Sequence, residues 1–131
     1  MLDDVSLAGG KDAVQRVLLC TGKIAYPLME ARTERSAPVA VVRVEQIYPL
    51  PTEQLLEIIK SYPNAREVMW VQEEPGNMGA WQFIHFKLID ELPEGTTLSV
   101  ASRHESGSPA TGSSTVHKQE LEGLIDRSLT I

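Results

Sequence analysis

Four short aliphatic runs alternate with stretches of helical spacing, and this alternation constrains the fold more than any other feature. The runs are QRVLLCT at residues 15–21, PVAVVRVEQIY at 38–48, EVMWVQE at 67–73 and TTLSVAS at 96–102. Each is nearly continuous in apolar or β-branched residues, and turn residues bound it. That is the pattern of a strand buried on both faces. A strand of this kind needs cover on both sides, and the segments between the runs are long enough to supply helices. The order strand, helix repeated four times predicts an α/β fold with a mainly parallel sheet and helices on both faces.

The intervening segments carry helical signals. At 23–35, Ile24, Leu28, Met29 and Ala31 recur near helical spacing, Pro27 falls in the first turn, and Glu30, Arg32, Glu34 and Arg35 are expected to face water. After Pro51, Thr52 is placed to cap a helix with Glu53 in its first turn, and Leu55, Leu56, Ile58 and Ile59 form its stripe. Tyr62-Pro63-Asn64 ends that helix. Residues 78–91 read as an apolar helix containing Trp81, Ile84, Phe86, Leu88 and Ile89, closed by Pro93-Glu94-Gly95. Residues 114–129 read as the last helix, with Val116, Leu121, Leu124, Ile125 and Leu129 inward. Residues 1–14 show no period and are expected to be a flexible leader, with 15–131 forming one domain.

Composition narrows the function. A chain of 131 residues suits one domain with a core of its own. A net charge of −6 argues against a nucleic-acid surface, which needs a basic footprint, and against an anionic membrane. No apolar run approaches the length of a membrane span. The single cysteine, Cys20, excludes an internal disulfide, suits a reducing compartment, and is expected to be inert within its strand.

Parallel α/β sheets place their sites at the carboxyl ends of strands. The candidate segments are therefore Thr21-Gly22-Lys23, Glu45-Gln46, Gln72-Glu73-Glu74-Pro75 and residues 102–117, SRHESGSPATGSSTVH. Thr21-Gly22-Lys23 is like the tail of a phosphate loop without its upstream glycine or following hydroxyl, and plain turn chemistry accounts for it. Glu73 and Glu74 are adjacent on an extended chain and point apart, so they make a poor acid/base pair. A structural or interface role suits Gln72, Glu73, Glu74 and Trp81 better: one carboxylate accepts from the next helix N-terminus, or pairs with an Arg across an interface. His85 is expected to pack within its helix. Residues 102–117 have two readings. Arg103, Ser113, Ser114 and Lys118 can bind an anion at a helix start, or a serine only caps the helix while Arg103 bridges to a carboxylate such as Glu73. No catalytic, cofactor-binding or metal-binding constellation is present.

The segments RVLLCTGKIAY, VAVVRVEQIYPLP, YPNAREVMWVQEEPGNMGAWQFI and SRHESGSPATGSSTVH follow one another in a specific order. Over residues 16–129 the chain resembles the C-terminal domain of the 2-oxoglutarate dehydrogenase E1 family. The resemblance implies a three-layer α/β/α fold like the transketolase C-terminal domain, in which one strand can be antiparallel. It implies an oxidoreductase that decarboxylates 2-oxoglutarate with thiamine diphosphate and Mg²⁺ and passes a succinyl group to lipoyl-E2, in the bacterial cytoplasm or mitochondrial matrix. The family's G-D-G cofactor motif is absent here, so no cofactor is expected in this chain, and the isolated chain is expected to be inactive. The implied partners are the catalytic domains of the same E1, a second E1 subunit and, indirectly, lipoyl-E2. The resemblance also implies support of the dimer and of the active-site channel, and it raises acetyl-CoA as a regulatory ligand near Arg103. Two alternatives remain at this stage: a free-standing module for a phosphorylated ligand such as acetyl-CoA, and an E1 domain for another 2-oxo acid such as 2-oxoadipate. If the chain is part of a dimer, apolar residues around Trp81 and Tyr48 are expected to be unusually exposed.

Overall fold

A computed structural model describes residues 10–103 and 114–131, with side chains omitted at 114–117. Four strands, β1 (Arg16–Cys20), β2 (Val39–Arg43), β3 (Glu67–Pro75) and β4 (Thr97–Arg103), form one sheet in the order β2-β1-β3-β4. Every described pairing is parallel, with Leu18 opposite Val41 on one side and Met69 on the other. The antiparallel strand that the family allows does not occur among the described residues. The helices are α1 (Ala25–Arg35), α2 (Thr52–Lys60), α3 (Trp81–Leu88) and α4 (Ser114–Leu129).

The two sheet faces carry separate cores. On one face Val17, Leu19, Val42, Val68 and Trp70 meet Leu55 and Ile59 of α2 and Ile84 and Leu88 of α3. On the other, Leu18, Cys20, Val39, Val41 and Val71 meet Leu28 of α1 and Leu124, Ile125 and Leu129 of α4. Strand β1 is buried at all five residues, because sheet neighbours flank it and helices cover both faces. This is the three-layer α/β/α architecture that the alternation predicts.

Several local expectations need correction. The expected leader boundary falls too late: Val14 is a core residue, Lys11 Nζ donates to Ser61 Oγ at 2.7 Å, and the Asp12 carbonyl accepts from Asn64. Residues 1–9 lie outside the described residues. Strand β2 stops at Arg43, not Tyr48, because Glu45 to Pro49 leave the sheet. Thr52 is the first residue of α2 rather than its cap, and its hydroxyl donates to the Leu50 carbonyl. Arg32 does not face water. It lies four residues from Leu28 on the inward face, is 5% exposed, and donates from Nη1 to the Val39 carbonyl.

A buried cation ties the last helix to the first strand. Arg16 Nη1 donates to the carbonyls of Arg127, Ser128 and Thr130, where α4 ends, and Nε pairs with Glu67 at 2.8 Å. Helix C-termini expose carbonyls without intrahelical partners, and a guanidinium satisfies several at once.

Candidate functional site

The strand ends bring the sequence candidates to one edge of the sheet, with different local roles. Gln72 is 3% exposed and spends its whole amide inside the chain. Its Oε1 accepts from Trp70 Nε1 at 2.8 Å and from the backbone amide of Trp81 at 3.2 Å. Its Nε2 donates to the carbonyls of Glu74, Pro75 and Met78. Gln72 thus folds the 74–80 turn onto the end of β3 and accepts from the start of α3. The acceptor at that helix start is this amide rather than Glu73 or Glu74, which corrects the expectation. Gly79 sits against it with φ of 70°, and a Cβ there would lie 2.9 Å from Gln72 Oε1. Glycine is the residue that meets both conditions.

Glu73 is half-buried and Glu74 exposed. Arg103 does not bridge to the Glu73 carboxylate. Its Nε donates to the Glu73 carbonyl at 2.6 Å, and its Nη1 pairs with Glu120 of α4 at 3.0 Å. The partners are set by chain geometry: β4 lies beside β3, whose carbonyl faces it, while α4 covers the same end. The cavity beside Arg103, lined by Glu73, Leu121 and Leu124, is about 10 Å³, the space of roughly one water. Lys118 is exposed; Ser113, His104 and the side chains of Ser114 and Val116 lie outside what the structure describes.

Helix α3 turns much of its apolar surface outward. Ile84 and Leu88 are fully buried, while Phe86 is 76% exposed, Ile89 42% and Met78 40%. Tyr48, 69% exposed, stacks its ring 4.4 Å from Phe83. Phe83, Phe86 and Ile89 recur every three residues and so share one stripe. Trp81 is half-buried and meets the exposed His85 edge-on at 5.3 Å, so His85 is not packed inside as expected.

Cys20 is fully buried, and burial pushes its thiol up to about 12, with Arg43 nearby opposing the rise. At neutral pH it is a packed thiol rather than a nucleophile. Thr21, Gly22 and Lys23 line a separate cleft beside it, with Tyr26, Arg43 and Glu45. Sequence reasoning missed Tyr26 and Arg43; the signal was an arginine at the carboxyl end of an otherwise aliphatic strand. Among the described residues no three of His, Cys, Asp and Glu come together as a metal site.

The architecture defines an α/β domain of the transketolase type. A solved split-gene transketolase chain, described as an inactive beta4 tetramer, superimposes with a TM-score of 0.61 at 14% identity, over 89% of this chain and 39% of that one. The family model for the 2-oxoglutarate dehydrogenase C-terminal region matches residues 1–129, and the chain belongs to that family. It is 41% identical over 133 residues to the 2-oxoglutarate dehydrogenase E1 component of Shouchella clausii, covering 99% of this chain and 14% of the relative. It is 40% identical over 114 residues to that of Cupriavidus necator, covering 86% and 12%. The chain thus spans about one-seventh of the curated relatives it matches.

Proposed function

We propose that this chain works as the C-terminal domain of a 2-oxoglutarate dehydrogenase E1 component, supporting the E1 dimer and the channel to the active site. In that reading, decarboxylation of 2-oxoglutarate and succinyl transfer to lipoyl-E2 depend on thiamine diphosphate and Mg²⁺ held by catalytic domains outside this sequence. The chain by itself is inactive. Its compartment is the bacterial cytoplasm, in keeping with the bacterial relatives; among the described residues no helix is long and apolar enough to cross a membrane. Substrate choice between 2-oxoglutarate and 2-oxoadipate belongs to the catalytic domains.

The observation that carries the structural role is the outward stripe of α3. Phe86 and Ile89 are exposed along the stripe of Phe83, and the exposed Tyr48 stacks on Phe83, so large apolar side chains continue the stripe beyond the helix. Aromatics of this kind anchor subunit contacts. We assign the stripe to a second copy of the E1 chain, with Glu74 and Trp81 toward the start of α3 and Gln72 fixing the turn behind them, while Glu73 lies on the α4 side beside Arg103. Sedimentation velocity of the chain is expected to show concentration-dependent self-association that Phe86→Glu abolishes. A monomer at every concentration, or a dimer indifferent to Phe86→Glu, contradicts the assignment.

A further inference from the structure

The cleft at the carboxyl ends of β1 and β2 is unused by the role above. It encloses about 380 Å³, within the range of small-molecule sites. Two cations line it, Lys23 and Arg43, against the one carboxylate of Glu45, which is engaged in an interaction of its own. Lys23 is exposed, and no ion pair of Lys23 is seen among the described residues.

Arg43 is held but not saturated. Its Nη1 donates to the Tyr26 hydroxyl at 3.2 Å, and its guanidinium lies 5.6 Å from the centre of the Tyr26 ring. Its Nε is buried and has no hydrogen-bond acceptor among the described residues. Buried donors are almost always paired in native proteins, and turning the guanidinium into the cleft would pair this one with an acceptor bound there. Arginine meets phosphoryl oxygens through two donors at once, and in that orientation Nε would be one of them.

The opposite wall suits the same ligand. Gly22, with φ of 78°, opens the turn Gly22–Ile24 that leads into α1, and no atom lies within 4 Å of a Cβ built there. Backbone can therefore approach a bound group closely. The Tyr26 ring, 62% exposed, borders the remaining space, which is too large for a phosphate alone.

We propose that this cleft binds an organic phosphate, with its phosphoryl group between Lys23 and Arg43 and a flat apolar portion against Tyr26. The proposal does not depend on the E1 reading, because it concerns binding to the chain itself. Amide ¹H–¹⁵N spectra of the chain, titrated with phenyl phosphate, inorganic phosphate and sodium chloride at matched ionic strength, test it. Saturable shifts at residues 21–26 and 43–45 are expected with phenyl phosphate, weaker with phosphate and absent with chloride. Lys23→Ala and Arg43→Lys are each expected to weaken binding by roughly tenfold, the loss of one charge-assisted contact. Lys23 is exposed, so its variant keeps the fold and the test stands even if Arg43→Lys does not. No saturable shift, shifts confined to residues 102–118, or unchanged affinity in Lys23→Ala would overturn the proposal.

Discussion

At the residue scale, the polar groups that organise this domain are long side chains with several donors. Arg16 satisfies three carbonyls and one carboxylate while 8% exposed. Arg16→Met keeps the stem and removes the charge, so it leaves the end of α4 without this donor and Glu67 with Ser99 Oγ but no cation. The expected loss is about 3 kcal/mol, read as a lower urea midpoint at unchanged m-value. Cys20 supplies a pH prediction. Its folded pKa of about 12 lies above the ordinary 9.0, so between those values the unfolded chain loses a proton that the folded chain keeps. The contribution is fully present below pH 9 and fades as pH rises toward 12. Stability is therefore expected to fall more steeply over that window in the native chain than in Cys20→Ala; parallel curves would contradict it. None of these partners was legible in sequence. Arg32 reads as solvated while Arg16 and Gln72 sit in aliphatic strand runs, and the partners of all three follow from which groups the topology brings within reach.

At the element scale, the periodicity located the four strands and the four α-helices, because strands buried on both faces read as continuous apolar runs. It was weaker on which face of a helix turns inward. In α3 apolar residues occur all round, so Phe86 and Ile84 look alike in sequence, yet one is 76% exposed and the other fully buried. The two are expected to separate cleanly by mutation. Ile84→Ala should cost about 2–4 kcal/mol through its cavity, whereas Phe86→Glu should stay within about 0.5 kcal/mol in thermal or urea unfolding. A large loss for Phe86→Glu would mean that the stripe is core and not contact surface. Boundaries slipped where hydrogen bonding overrode composition: β2 ends once its chain leaves the sheet after Arg43, and β3 runs on to Pro75 across a register shift.

At the scale of the molecule, the fold and family were legible, since both rest on the order of long segments. The site was legible only as a location. The strand ends Thr21, Glu45, Gln72 and Arg103 do converge on one edge, but spacing along the chain says nothing of the cleft that Tyr26 and Arg43 complete. The central claim is a division of labour, with structure and subunit contact here and thiamine chemistry elsewhere. It is tested most directly by measuring 2-oxoglutarate-dependent ferricyanide reduction, with thiamine diphosphate and Mg²⁺, on this chain alone, on an E1 truncated before the matching region, and on the two mixed. The account predicts no activity from the chain, little from the truncated E1, and recovery on mixing that Phe86→Glu prevents. Turnover by the chain alone, or full activity in the truncated E1, would contradict it.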